Sequence, residues 1–147
     1  MLTDLLLSHP TSDNLHIMPT TRDPHTKLAL SSRNAYLTSD ELKVAPILYE
    51  ALSSTKTLYS SSSTDVAVTG EDLISTATKQ IMDQQANLTS AGSAVELKLD
   101  YVEVFDKTTF EAVRGPIEKG RELVIAGAVW VGKTRLIDNL LLGWDVN

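Results

Sequence analysis

Apolar positions change period along this chain, and the changes divide it into a polar-punctuated start, a helical middle and a strand-rich end. Leu2, Leu5, Leu6 and Leu7 suit one side of a short helix that stops before the turn-forming stretch from His9 to Asn14. Leu15 to Thr21 reads as a strand, followed by a polar loop from Arg22 to Lys27. Thr38 and Glu41 have capping-box spacing, which predicts a helix from Ser39 to about Leu58 with Leu42, Ala45, Leu48, Tyr49 and Leu52 on its buried face. The serine tract Tyr59 to Thr64 has little to bury and reads as a flexible connection. A second helix over Glu71–Ala86 offers Leu73, Ala77, Ile81 and Met82 for packing, so the middle of the chain is a helical hairpin.

Beyond the hairpin the period falls to two. Val95, Leu97, Leu99 and Tyr101 to Phe105 alternate as a strand does, up to a turn at Asp106–Thr109, with a short strand expected at Phe110–Val113. Leu123 to Val131 is almost continuously apolar and suits a buried central strand, and Thr134 to Ile137 can pair with it after a turn at Gly132. The expected class is α+β, a helical hairpin packed on a small antiparallel sheet.

Composition narrows the partners. Thirteen basic against nineteen acidic residues give a net charge of -6, which argues against nucleic acid and against an anionic membrane surface. No apolar run approaches the roughly 18 residues of a membrane span, and Met1–Leu7 lacks the basic lead-in and cleavage site of a signal peptide. The chain has no cysteine, so it has neither disulfides nor a thiol nucleophile, and a cytoplasmic setting is compatible. His9, His16 and His25 form no metal-like constellation and read as surface residues.

The chemistry-bearing segment is Pro19 to Arg22 followed by Leu28 to Asn34. Ser31 and Ser32 beside Arg33 present hydroxyl donors and a forked cation, a set suited to phosphate oxygens and equally able to form a polar turn that caps the next helix. Arg22 and Asp23 read as loop-holding residues, through a salt bridge or turn hydrogen bonds, rather than as ligands. Gly127 to Thr134 formally satisfies the phosphate-loop pattern G-x-x-x-x-G-K-[ST]. The residues inside it are apolar and strand-like, where that motif needs a flexible loop leading into a helix, so a strand is expected there instead.

The segment Pro19–Leu37 resembles the signature of the pantoate β-alanine ligase family, which reads approximately P-T-x-R-[ED]-x-D-G-L-A-[ML]-S-S-R-N-x-Y-L. Asp100–Val104 and Thr134–Asn139 also fall in that family's order and approximate spacing. The resemblance implies the C-terminal domain of an adenylate-forming ligase, with residues 1–28 a remnant of the N-terminal domain, strand and hinge, and 29–147 an ATP lid. It implies ATP, pantoate and β-alanine as substrates, with Mg2+ accompanying ATP. Ser31, Ser32 and Arg33 would contact phosphates, while Thr21 and the backbone of Leu30 would border the adenine pocket; no catalytic base and no metal ligand is implied. Family members are commonly homodimers through the N-terminal domain, whose nucleotide-binding histidines, pantoate-holding glutamines and phosphate-contacting lysine have no counterpart upstream of Leu15. A separate N-terminal ligase domain is therefore the expected partner, and a noncatalytic truncated paralogue is the alternative. Two departures stand out: the Asp23–Leu28 loop is one residue longer than the pattern, and Lys27 stands where it has glycine, which implies an altered loop and weaker ATP binding.

Overall fold

The computed structural model describes residues 20–61 and 67–144 of this chain. The helix expected at the start and most of the strand expected at Leu15–Thr21 lie outside them, as does the rest of the serine tract beyond Ser61. A five-residue 3-10 turn, Ser32–Tyr36, precedes helices α1 (Ser39–Val44), α2 (Ile47–Ser61) and α3 (Gly70–Ser90). Strands β1 (Leu97–Asp106), β2 (Leu123–Val131) and β3 (Thr134–Leu142) follow and form one antiparallel sheet in the order β1-β2-β3.

Helix starts are where local chemistry speaks most clearly. At α1 the Thr38 hydroxyl accepts from Glu41 N–H while the Glu41 carboxylate accepts from Thr38 N–H, and Thr69 with Asp72 repeats the arrangement at α3. Each box satisfies donors that a helix start leaves unpaired. The single helix expected from Ser39 to Leu58 is instead two, because Pro46 has no N–H with which to continue the ladder. Its carbonyl accepts from Glu50 N–H at 3.0 Å and so opens α2. Leu42 is exposed, whereas Leu48 and Leu52 pack as expected. Met82 is also exposed, on the far side of α3 from Leu73, Ala77 and Ile81.

Helix α2 lies against β2 and β3, and α3 against β1, so both helices cover one face of the sheet. Leu52, Leu73, Ile81, Leu123, Ile125, Val129 and Val131 are wholly inaccessible between these layers. Each such side chain contributes about 1.5–3 kcal/mol on burial. Gly127 sets the spacing: a Cβ there would lie 3.0 Å from Leu48 Cδ1, tighter than ordinary contact. The segment expected as a strand at Phe110–Val113 forms only a single bridge, Phe105 to Ala112. β3 runs five residues past the expected Ile137, its alternation continuing through the buried Asp138 to Leu142.

Candidate functional site

The polar segment before α1 folds back on itself. Arg22 bridges to Ala29, Asp23 N–H donates to Leu28 O and Leu30 N–H donates to Thr21 O, both at 2.9 Å. The Asp23 carboxylate closes the intervening turn by accepting from Thr26 N–H at 2.7 Å, Thr26 Oγ1 at 3.0 Å and His25 N–H at 2.9 Å. Those bonds, Thr26's foremost, hold its pKa below the usual carboxylate value. Lys27 completes the turn with φ of 63°, the left-handed conformation that glycine adopts without cost. Lys27, standing where the ligase pattern has glycine, thus carries a backbone conformation that favours glycine.

Arg22 ties this loop to the sheet. Its guanidinium forms a two-pronged pair with Asp138 on β3, at 2.5 Å and 2.9 Å, and lies 4.1 Å above the Tyr49 ring on α2. The two charged side chains retain only 12% and 8% of their exposure, so the pair is largely withdrawn from water and its geometry is correspondingly fixed. Arg22 and Asp23 therefore do hold the loop, each through different partners.

Ser31 has extended backbone and caps the 3-10 turn, its Oγ accepting from Arg33 N–H at 3.2 Å. Asn34 fastens the turn from beneath by donating Nδ2 to Ala29 O at 2.9 Å, while Leu37 enters the core. Ser31, Ser32 and Arg33 remain exposed on the outside of this anchored turn. Thr21 and Leu30 are brought together by their backbone hydrogen bond, one turn away. His25 is exposed; His9 and His16 lie outside the described residues.

The turn rests beside the β2–β3 hairpin. Gly132 and Lys133 are the two residues between the paired Val131 and Thr134, and Gly132 has φ of 56° at the position where a two-residue hairpin calls for glycine. A Cβ on Gly132 would sit 1.9 Å from Glu41 Oε1, which shows how closely the capping box of α1 approaches the hairpin tip. Between the two turns lies an open recess of about 570 Å³ lined by Arg33, Tyr36, Trp130, Lys133, Thr134 and Arg135. Arg135 is held by Asp100, at 2.8 Å and 2.7 Å, and Asp100 is the extra residue of the β1 bulge between Leu99 and Tyr101. Arg33 and Lys133 have no acidic partner among the described residues. Two free cations and exposed aromatic rings line a surface suited to a phosphate-bearing ligand with a planar group, and Ser31 and Ser32 stand on the same exposed turn as Arg33.

A family model described as Pantoate-beta-alanine ligase matches residues 1–141. The chain belongs to this ligase family. A pantothenate synthetase of Thermotoga neapolitana is 38% identical over 126 residues, covering 85% of this chain and 38% of that protein. One from Pseudomonas fluorescens is 36% identical over 118 residues, covering 80% of this chain and 35% of that protein. The crystal structure of pantothenate synthetase from Thermus thermophilus superposes with a TM-score of 0.59 at 27% identity, over 84% of this chain and 38% of that one. The chain thus spans less than two fifths of the length of these pantothenate synthetases.

Within this family member, Gly127–Thr134 is a strand and hairpin tip, and no helix follows it among the described residues, which removes the phosphate-loop reading. Sequence reasoning passed over Lys133 and Trp130 together with that motif. The predicted turn at Gly132 was the one local sign that Lys133 would be presented outward. Among the described residues no group of three or more His, Asp or Glu side chains lies close enough to hold a metal ion. Among them, too, no helix is long and apolar enough to cross a membrane.

Proposed function

We propose that this chain supplies the phosphate-gripping part of an ATP-dependent ligase that joins pantoate to β-alanine, acting with the N-terminal portion that its relatives carry. In the first step an oxygen of the pantoate carboxylate attacks the α-phosphorus of ATP, the bond from that phosphorus to the bridging β-phosphate oxygen breaks, and pyrophosphate leaves. In the second, the β-alanine amine attacks the acyl carbon of the pantoyl adenylate, loses a proton, and AMP leaves with the carboxylate oxygen. The observation that carries this reading is the anchored Ser31–Ser32–Arg33 turn, whose hydroxyls and unpaired guanidinium face outward from a backbone fixed by Asn34 and by the Arg22–Asp138 pair.

Arg33 and the serine hydroxyls strengthen their bonds as negative charge gathers on the departing pyrophosphate, which lowers the barrier rather than merely binding substrate. Thr21 and the Leu30 backbone border the adenine, and Mg2+ arrives on the nucleotide's own phosphates. The portion up to about residue 28 belongs with the N-terminal domain and the portion from residue 29 onward acts as the lid, and the enzyme works in the cytoplasm. The test is β-alanine-dependent AMP formation from ATP and pantoate, using the chain alone and then mixed with the N-terminal portion of a pantothenate synthetase. Activity confined to the mixture, and lowered about 100-fold or more by Arg33→Gln, is the expected result. An associated mixture without activity, or one indifferent to Arg33→Gln, overturns the proposal in favour of a noncatalytic module.

A further inference from the structure

The motif dismissed as a phosphate loop still leaves a lysine to account for. Lys133 is fixed at the hairpin tip by Gly132, is exposed, and has no acidic partner among the described residues. It lines the same recess as Arg33, although the two are 100 positions apart in sequence. Their proximity has a structural cause: Glu41 caps α1 through Thr38 N–H at 2.7 Å and simultaneously abuts Gly132, holding the Ser32–Tyr36 turn and the hairpin tip side by side. The Glu41 carboxylate is engaged at that cap and Asp100 by Arg135, while Glu96, whose backbone carbonyl accepts from Gly132 N–H at 2.8 Å, is exposed and makes no ion pair with Lys133.

We propose that Lys133 is a second phosphate-contacting cation of this site, so that a polyphosphate chain is held from two sides by cations on separate elements. This rests on the phosphate-gripping role given above to Arg33 and deepens it. One cation neutralises one part of a polyphosphate; a triphosphate spreads its charge along a chain that a guanidinium on one element cannot cover alone. The ammonium of lysine, a point charge on a flexible stem, suits the end whose position varies, and the forked guanidinium suits the end that is oriented. The ligand class is therefore a linear polyphosphate, either free or as the tail of a nucleotide, and a monophosphate would gain little from Lys133.

The experiment is an amide NMR titration of the chain at fixed ionic strength with inorganic tripolyphosphate, ATP and AMP. The amides of Ser31–Arg33 and of Gly132–Thr134 are expected to shift together with one affinity for tripolyphosphate and ATP. Lys133→Gln should weaken both about ten-fold while leaving AMP binding and the thermal midpoint unchanged. Lys119→Gln, which removes an exposed lysine outside the recess, serves as the control for net charge and should leave all three affinities unchanged. Shifts confined to Ser31–Arg33, or equal losses from the Lys133 and Lys119 variants, overturn this inference and spare the role of Arg33. Shifts at neither turn with millimolar tripolyphosphate or ATP overturn both.

Discussion

Toward the Leu123 end of the sheet, three basic side chains are tied to acids, Arg121 to Asp106 at 2.8 Å, Lys107 to Glu122 at 2.6 Å, and Arg114 to Glu103, while Lys119 is exposed there without an acidic partner among the described residues. At the Gly132 end, Arg33 and Lys133 are exposed and have no acidic partner among the described residues. Both ends are polar and both are built around a turn, so composition alone does not separate them. The difference is that one end uses its paired charges in fixing the turn after β1, while the other, held by neutral and capping bonds and by the Arg22–Asp138 and Arg135–Asp100 pairs, leaves Arg33 and Lys133 over. Asn34 to Ala29 and the Thr38–Glu41 box hold the backbone there without drawing on Arg33 or Lys133. A surplus of positive charge on an anchored backbone is what separates a site for anions from a salt-bridged surface.

The hardest test of this contrast falls on the pair that joins the two regions. Asp138→Ala strands the guanidinium of Arg22 in a largely buried position and should cost about 3 kcal/mol in chemical denaturation. It should also loosen the Ser31–Arg33 turn, seen as faster amide exchange at residues 28–34. A cost under about 1 kcal/mol would show that the pair behaves as an ordinary surface contact and that the turn is held without it.

Acid probes the paired end. Asp106 accepts from Thr109 and Thr108 N–H and from Arg121, which together lower its pKa from 3.8 to about 2. The unfolded chain takes up that proton first as pH falls, so the contribution of Asp106 is complete above about pH 4 and is lost between there and pH 2. Glu103, lowered by Arg114, acts in the same direction. The urea midpoint should therefore fall across this window, and Asp106→Asn should flatten the fall; parallel curves for parent and variant would assign the acid sensitivity to other carboxylates.

The smallest effect is expected at Lys27. Its left-handed backbone costs about 1–2 kcal/mol, whereas glycine there would add roughly 0.5–1 kcal/mol of unfolded-state entropy. Lys27→Gly should accordingly stabilise by about 0.5–1 kcal/mol, the difference of those two ranges. A loss of stability would mean that the lysine side chain contributes contacts that outweigh the backbone strain.

Local signals were the legible ones. The Thr38–Glu41 box placed the start of α1, the apolar run placed β2 at Leu123–Val131 to the residue, and a glycine marked the hairpin tip. Pro46 was equally local, and its missing donor accounts for the division between α1 and α2. What sequence reasoning could not reach depends on partners far along the chain. Asp138 interrupts an apolar pattern and so hid the true length of β3; its reason for being buried is Arg22, 116 positions earlier. The recess is similar in kind, since nothing local to Arg33 announces Lys133. Ser31–Asn34 was read as a donor cluster, but whether it would be anchored or merely polar depended on Ala29, Leu37 and the sheet.

The Arg22–Asp138 pair also has a temporal meaning. Closing a loop of 116 residues costs about 4 kcal/mol in chain entropy by length alone, so this contact forms after the helices and hairpin that shorten the effective distance. On the ribosome the segment with Arg22 emerges before Asp138. A nascent chain halted within β3 before Asp138 holds the serine and arginine side chains of the loop without the strap that positions them, and completion of β3 is the event that sets the turn.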